Sequence, residues 1–290
     1  MTSLRKVFPT SARQAGRSLA VGAGRLTAGL RAEPTFLLVG AQRCGTTSLF
    51  RALLSHPNVL RPIMHKGVNY FDVNADKSWS WYLGHFPLKA NARRMAAPGH
   101  VTAGIFEASG YYMFHPHAPA RIAQALPGVK VVAMVRDPVE RAYSAYKHEF
   151  ARGFETEAFE RALELEDSRV EPELARMLAD PAYQSATYRH QAYRRRGHYA
   201  EQLDEFTSLL GPGSVHVVES ERFFAEPADE YTRLLEFLRL PPVMPASFDQ
   251  YNARPGSPLE PGLHAELRAH FKPQDDALEK FLGRPATWMA

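Results

Sequence analysis

Arg43 lies inside a turn framed by Gly40 and Gly45, and Thr46, Thr47 and Ser48 follow directly. Four residues between two glycines, then hydroxyls, is the spacing of a loop that wraps an anion. Backbone N–H groups and the positive end of a helix dipole hold the charge, and an arginine within the loop can reach a bridging oxygen. Nucleoside triphosphatases carry lysine after the second glycine, where this chain has Thr46. A P-loop kinase or NTPase is therefore the weaker alternative. A second cation, Arg136, ends the apolar run Val129 to Val135 and precedes Asp137-Pro138, with Ser144 further along the same segment. Two cationic strand ends suit a ligand with two separated phosphate-like groups. Glu107 closes the run Val101 to Phe106 and is a candidate site carboxylate; a capping or ion-paired glutamate is the alternative role.

The elements that position these groups follow from the hydrophobic pattern. Phe36 to Val39 reads as a strand, and Leu49, Leu53 and Leu54 give the next segment helical spacing up to the stop at Ser55-His-Pro-Asn58. Val129 to Val135 is nearly all apolar, the pattern of a strand covered on both faces. Pro138 suits the first turn of a helix and Asp137 its cap. Helices are expected over Phe154 to Leu165, Tyr183 to Leu210, Pro227 to Leu238 and Leu263 to Leu282, the last interrupted near Pro273, with a further strand at Ser214 to Val218. Alternating strands and helices predict an α/β, P-loop-type three-layer fold: a central parallel sheet flanked by helices. Strand ends in such a sheet open into the ligand crevice. Trp79, Trp81, Tyr82 and Phe86 are read as core.

With 45% apolar and 23% charged residues, the composition is that of an ordinary globular chain, and no apolar run approaches a bilayer span. Residues 1–32 hold Arg5, Lys6, Arg13, Arg17, Arg25 and Arg31 and no acid; the remaining 29 basic and 31 acidic residues nearly balance. That distribution excludes a general nucleic-acid binder. The basic segment is read as a flexible leader, with weak peripheral contact to acidic lipid as the alternative. Cys44 is the sole cysteine, which rules out a disulfide framework and fits a cytoplasmic location. No CxxC, HExxH or EF-hand pattern supports a metal site.

Taken together the motifs carry a resemblance. Gly40-Ala-Gln-Arg-Cys-Gly-Thr-Thr-Ser48 resembles the 5′-phosphosulfate loop of sulfotransferases, and Val135-Arg-Asp-Pro-Val-Glu-Arg-Ala-Tyr-Ser144 resembles their 3′-phosphate motif. His65-Lys-Gly-Val-Asn-Tyr-Phe-Asp72 is similar to the K-E-x-H-F-F-D segment of the heparan-sulfate-type carbohydrate branch. Glu107-Ala-Ser-Gly-Tyr-Tyr, Arg196-Gly-His-Tyr199 and Phe271-Lys-Pro with Leu282-Gly-Arg extend the likeness to bacterial members of that branch, over roughly residues 35–288. The resemblance implies one sulfotransferase domain over residues 33–290. It implies 3′-phosphoadenosine 5′-phosphosulfate as donor and a carbohydrate or other small hydroxyl or amine acceptor, without a metal.

By position, Arg43 matches the family's loop lysine. Gln42, Cys44, Gly45, Thr46 and Thr47 would hold the 5′-phosphate through backbone and hydroxyl groups. Arg136 and Ser144 would grip the 3′-phosphate, and Tyr199 and Arg254 lie in segments that close over the nucleotide. Two replacements depart from the family: Gly67 stands for the glutamate that serves as base and Asn69 for the histidine beside it. Neither takes a proton at neutral pH. Glu107 is the first candidate to replace the lost base and His65 the second. A non-catalytic nucleotide-binding homologue is the reading that these losses favour.

Overall fold

The computed structural model describes residues 22, 24–63, 65–251 and 258–289. Strands β1 (Phe36–Gly40), β2 (Val59–Leu60), β3 (Gly104–Glu107), β4 (Lys130–Val135) and β5 (Val215–Glu219) form one sheet in the order β2-β3-β1-β4-β5. All four pairings are parallel. From β1 the chain passes to β2 at the edge, returns to β3 beside β1, and then crosses to β4 and β5 on the other side. The carboxyl end of β1 is thus the switch point, where an open α/β sheet offers a crevice.

Burial explains the strand sequences. Every residue of β1 is enclosed, and β4 is enclosed beyond Lys130, so helices must cover both faces. Helix α1 (Thr46–Ser55) runs from the loop after β1; α2 (Trp79–Leu83), α3 (Lys89–Arg94) and α4 (Ala118–Ala125) lie on either side of β3 in the chain. Then come α5 (Pro138–Phe150), α6 (Phe159–Ala179), α7 (Ala186–His190), α8 (Tyr199–Leu210), α9 (Ser220–Ala225), α10 (Pro227–Leu238) and α11 (Pro261–Leu282). One helical group joins α1 to α10, where the Tyr231 hydroxyl donates to Ala52 O at 3.2 Å. Another packs α8 against α4, α11 and β5. Ile122, Leu203, Phe206 and Leu278 carry that group into the same core as β1 and β4.

Several boundaries differ from the pattern. The stretch from Tyr183 to Leu210 is not one helix: α7 ends at His190, a 3-10 turn spans Arg195–Gly197, and α8 starts at Tyr199. Local periodicity cannot see this break, because it is enforced by Glu166 of α6, whose buried carboxylate accepts from the amides of Arg194 and Arg195. Pro273 does not interrupt α11, which is continuous for 22 residues. Its missing N–H is tolerated while buried Leu267, Phe271 and Leu278 hold the helix down. Within the densely charged stretch Glu164 to Arg176, Glu166 is enclosed. Tyr82 and Phe86 are core, with Trp79 and Trp81 packed against it. Among the described residues no helix is long and apolar enough to cross a membrane.

Candidate donor site at the first switch point

Gly45 is the N-cap of α1 at φ 86, a left-handed conformation that suits glycine, and no side chain caps the helix. The first-turn amides therefore point outward unpaired by a cap, the arrangement that draws an anion. Arg43 also has a positive φ, 73°. For a non-glycine residue this costs about 1 kcal/mol. Tertiary contact supports it: Arg43 Nε donates to Ser144 Oγ at 3.0 Å, across 101 positions of sequence. That bond joins the loop to α5, the helix following Arg136.

Arg136 lies at the end of β4, half-exposed and 3.4 Å from Glu140. Asp137 caps α5 through Val139 N (2.9 Å) and pairs with Arg268 of α11 at 2.5 Å. Lys147, one turn beyond Ser144, has its ammonium pulled below the usual lysine range by burial, with repulsion from both Arg136 and Arg43 adding to it. The two predicted anion-binding cations are thus within electrostatic reach of one lysine.

Lys66 is a site residue that motif matching passed over. Its Nζ donates to Thr46 Oγ1 at 3.1 Å and Thr47 Oγ1 at 3.3 Å, and lies 5.6 Å from the Phe50 ring centre. Burial lowers its pKa to about 8. Among the described residues no carboxylate pairs with it. The cation that Thr46 fails to supply after Gly45 is delivered from another segment. The signal was present in the sequence as the lysine of His65-Lys-Gly-Val.

Glu107 holds that segment in place. Val68 N donates to Oε2 (2.5 Å), as does Ser109 Oγ (2.7 Å); the hydroxyls of Tyr82 and Tyr112 donate to Oε1 at 2.8 and 2.9 Å. Ala108 N donates to Lys66 O at 2.9 Å, fixing the lysine backbone alongside. Four donors fill a carboxylate's acceptor capacity, and the residue has no exposed surface. Burial raises its pKa, while those same hydrogen bonds oppose the shift. Of the two roles the sequence left open for this strand end, the burial and the four hydrogen bonds favour the structural one. His65, the second candidate base, is exposed, with its ring centre 6.4 Å from that of His85.

Gly67 is demanded by the same packing. A Cβ there would meet Ala108 O at 2.4 Å and Ser109 Oγ at 2.5 Å. A glutamate at this position is sterically excluded by this backbone. Gly67→Ala is expected to lower stability by about 1–3 kcal/mol, the usual cost of overpacking, seen as a lower urea midpoint with unchanged slope. A variant as stable as the parent would show that the segment has room.

The other loop residues fall into two groups. Gln42 faces a buried polar cluster: its Nε2 donates to Glu149 Oε1 at 3.0 Å and its Oε1 accepts from Arg196 Nη1 at 2.5 Å. Arg196 is enclosed between the Tyr111 and Phe114 rings, and burial lowers its pKa to about 10. Glu149 Oε2 in turn lies 3.0 Å from His190 Nδ1. Cys44 turns the other way. Its thiol has no exposed surface, its amide donates to Ala41 O within the turn, and burial raises its pKa to about 11. The Tyr199 hydroxyl is 3.8 Å from this sulfur and donates to Arg136 O at 2.9 Å. Tyr199 is therefore buried behind the loop, bracing both cationic strand ends, and does not close over a ligand. Arg254 lies outside the described residues.

Beside the first turn of α1 is a cavity of about 370 Å³, lined by Ser48, Arg51, Ser55, Phe248 and Tyr251 among others. Tyr251 N donates to Ser48 Oγ at 2.9 Å, and the Arg51 guanidinium stacks 4.3 Å from the Tyr251 ring centre. One wall is aromatic, one is cationic, and the turn at Gly45-Thr46-Thr47 is a residue away.

Residues 33–253 match the sulfotransferase domain family. A human protein named bifunctional heparan sulfate N-deacetylase/N-sulfotransferase 3 is 28% identical over 218 residues, covering 72% of this chain and 22% of that protein. The chain thus spans about a fifth of the length of such relatives. A mouse protein named heparan sulfate glucosamine 3-O-sulfotransferase 6 is 29% identical over 257 residues, covering 89% of this chain and 64% of that one. The crystal structure of a sulfotransferase from Alicyclobacillus acidocaldarius superposes with a TM-score of 0.65 at 29% identity, covering 88% of this chain and 98% of that one.

Proposed function

The chain belongs to the sulfotransferase domain family, and from that premise we propose that it moves a sulfuryl group from 3′-phosphoadenosine 5′-phosphosulfate to a hydroxyl or amine of a carbohydrate. The single observation that carries this reading is the Arg43–Ser144 hydrogen bond, which ties the loop to the helix that follows Arg136. A nucleotide phosphorylated at both ends is the ligand that such a pair of cations suits.

The uncapped start of α1, the Thr46 and Thr47 hydroxyls, Arg43 and Lys66 take the 5′-phosphosulfate. Arg136 and Ser144 take the 3′-phosphate. The cavity between Arg51, Phe248 and Tyr251 receives the nucleoside. Sulfuryl transfer, like phosphoryl transfer, runs in line through a loose transition state, so positioning and charge stabilisation do most of the catalysis. Charge grows on the departing phosphate, where Arg43 and the loop amides meet it. Arg43 holds its proton throughout, as guanidinium does in proteins. The names of the heparan sulfate relatives support a glycan acceptor.

Calorimetry with adenosine 3′,5′-bisphosphate, the desulfated donor, tests the reading directly. Binding is expected, with at least tenfold preference over adenosine 5′-monophosphate. Arg136→Ala should erase most of that preference, since a charge-assisted hydrogen bond is worth about 1.5–3 kcal/mol. No heat with the bisphosphate would remove the donor assignment, and an unchanged preference in the variant would move the 3′-phosphate elsewhere.

A further inference from the structure

Gly67 and Asn69 stand where the family has its base and the histidine beside it, and Glu107 is saturated. Removing a proton from an alcohol during transfer still contributes about 10²–10⁴-fold when a base is in place. The polar cluster behind Gln42 holds a group with the right form.

Glu149 has 1% of its side chain exposed, and its two oxygens are divided between the donor loop and one imidazole. Oε1 accepts from Gln42 Nε2, and Oε2 is 3.0 Å from His190 Nδ1. Burial works against its charge, but His190, Arg152 and Gln42 outweigh that and hold the carboxyl below its ordinary range. An ionised carboxylate only accepts, so the Nδ1 that faces it carries a hydrogen, and in that tautomer Nε2 keeps the lone pair. Among the described residues Nε2 makes no hydrogen bond, and 11% of the side chain is exposed. The ring is also fixed in plane, stacked on Phe154 with centres 4.0 Å apart and 3° between planes. The Nδ1 contact fixes the ring, and the same carboxylate ties it to Gln42 of the donor loop.

We propose that His190 is the general base of the transfer, oriented by Glu149 and acting at Nε2. This rests on the donor reading above. The acceptor's O–H proton passes to Nε2 as its oxygen forms a bond to sulfur. The bond from sulfur to the 5′-phosphate oxygen breaks, and its electron pair leaves with adenosine 3′,5′-bisphosphate. The imidazolium then releases the proton to water. Glu149 is a positioning residue in this scheme and stabilises the transient positive ring.

The test measures turnover of the sulfated donor with N-acetylheparosan or water as acceptor, alongside calorimetric binding of adenosine 3′,5′-bisphosphate. His190→Ala should lower turnover about 10²-fold or more, bind the bisphosphate within about twofold of wild type, and recover part of its rate on adding imidazole. His190→Asn keeps a donor facing Glu149 but supplies no base; it should fold, bind and remain slow. Wild-type turnover in either variant overturns the inference and leaves the donor reading standing. A slow His190→Ala that also loses bisphosphate affinity and ignores imidazole overturns it too, since the residue would then be supporting Gln42. Failure of the wild-type protein to bind the bisphosphate removes the donor reading instead.

Discussion

Replacing Lys66 with alanine is expected to lower kcat/KM for sulfuryl transfer by about 10²–10³-fold, the usual loss when one preorganised donor to a developing charge is deleted. The fold should survive, because among the described residues the amino group meets the Thr46 and Thr47 hydroxyls and the face of Phe50. The lysine also gives the binding step a pH dependence with a definite sign. Burial sets its pKa at about 8 in the empty protein. A dianionic phosphate prefers the ammonium form, so donor affinity is level below about pH 8 and falls as the pH rises past it. The fall approaches tenfold per unit, one proton being taken up on binding. Titration of adenosine 3′,5′-bisphosphate at about pH 7 and about pH 9 reads the slope, and Lys66→Ala should flatten it. A wild-type affinity equal at both values would place the ammonium away from the phosphate. In the empty protein the charged lysine is a burden. Its folded pKa lies below the ordinary 10.5, so its cost is full below about pH 8 and is relieved between there and 10.5.

Glu107→Ala should be the most damaging single change to the fold near the site. It leaves the Val68 amide and the hydroxyls of Ser109, Tyr82 and Tyr112 without their acceptor. Each orphaned buried donor costs about 1–3 kcal/mol, and the hydroxyls can turn to limit the loss. A total of about 3–5 kcal/mol is expected, enough to unfold a marginal domain at physiological temperature. Glu107→Gln separates this role from catalysis. Its amide oxygen still accepts from Val68 N, its NH₂ meets rotatable hydroxyls, and both stability and turnover should be largely kept. A stable Glu107→Gln variant with abolished turnover would restore the carboxylate as a base.

The loop was legible because its information is local. Gly40, Gly45 and the run of hydroxyls lie within nine residues, and backbone conformation there depends on little else. The same holds for β4 and the Asp137-Pro138 cap, where burial and capping chemistry are written in adjacent letters. What stayed hidden was the pairing of distant side chains. Glu107 was placed correctly at a strand end, but β3 is an inner strand, between β2 and β1, and its end turns into the core toward Tyr82 and Tyr112. Tyr199 was placed in a closing segment by the family resemblance; only the Cys44 and Arg136 contacts reveal a brace. Gln42, Glu149 and His190 are separated by 107 and 41 positions, and no periodicity links them. Lys66 was visible but undervalued, since nothing in the sequence says that its side chain returns to Thr46.

The enclosed thiol at the centre of the turn has a practical corollary. With its proton held to about pH 11 and no surface exposed, Cys44 should resist alkylation while the loop is closed. It is the chain's sole cysteine, so any iodoacetamide that attaches marks a moment when the turn has come undone. The labelling rate is then a built-in clock for local breathing at the phosphate grip, and ligand occupancy should slow it in proportion to how tightly the grip is held shut.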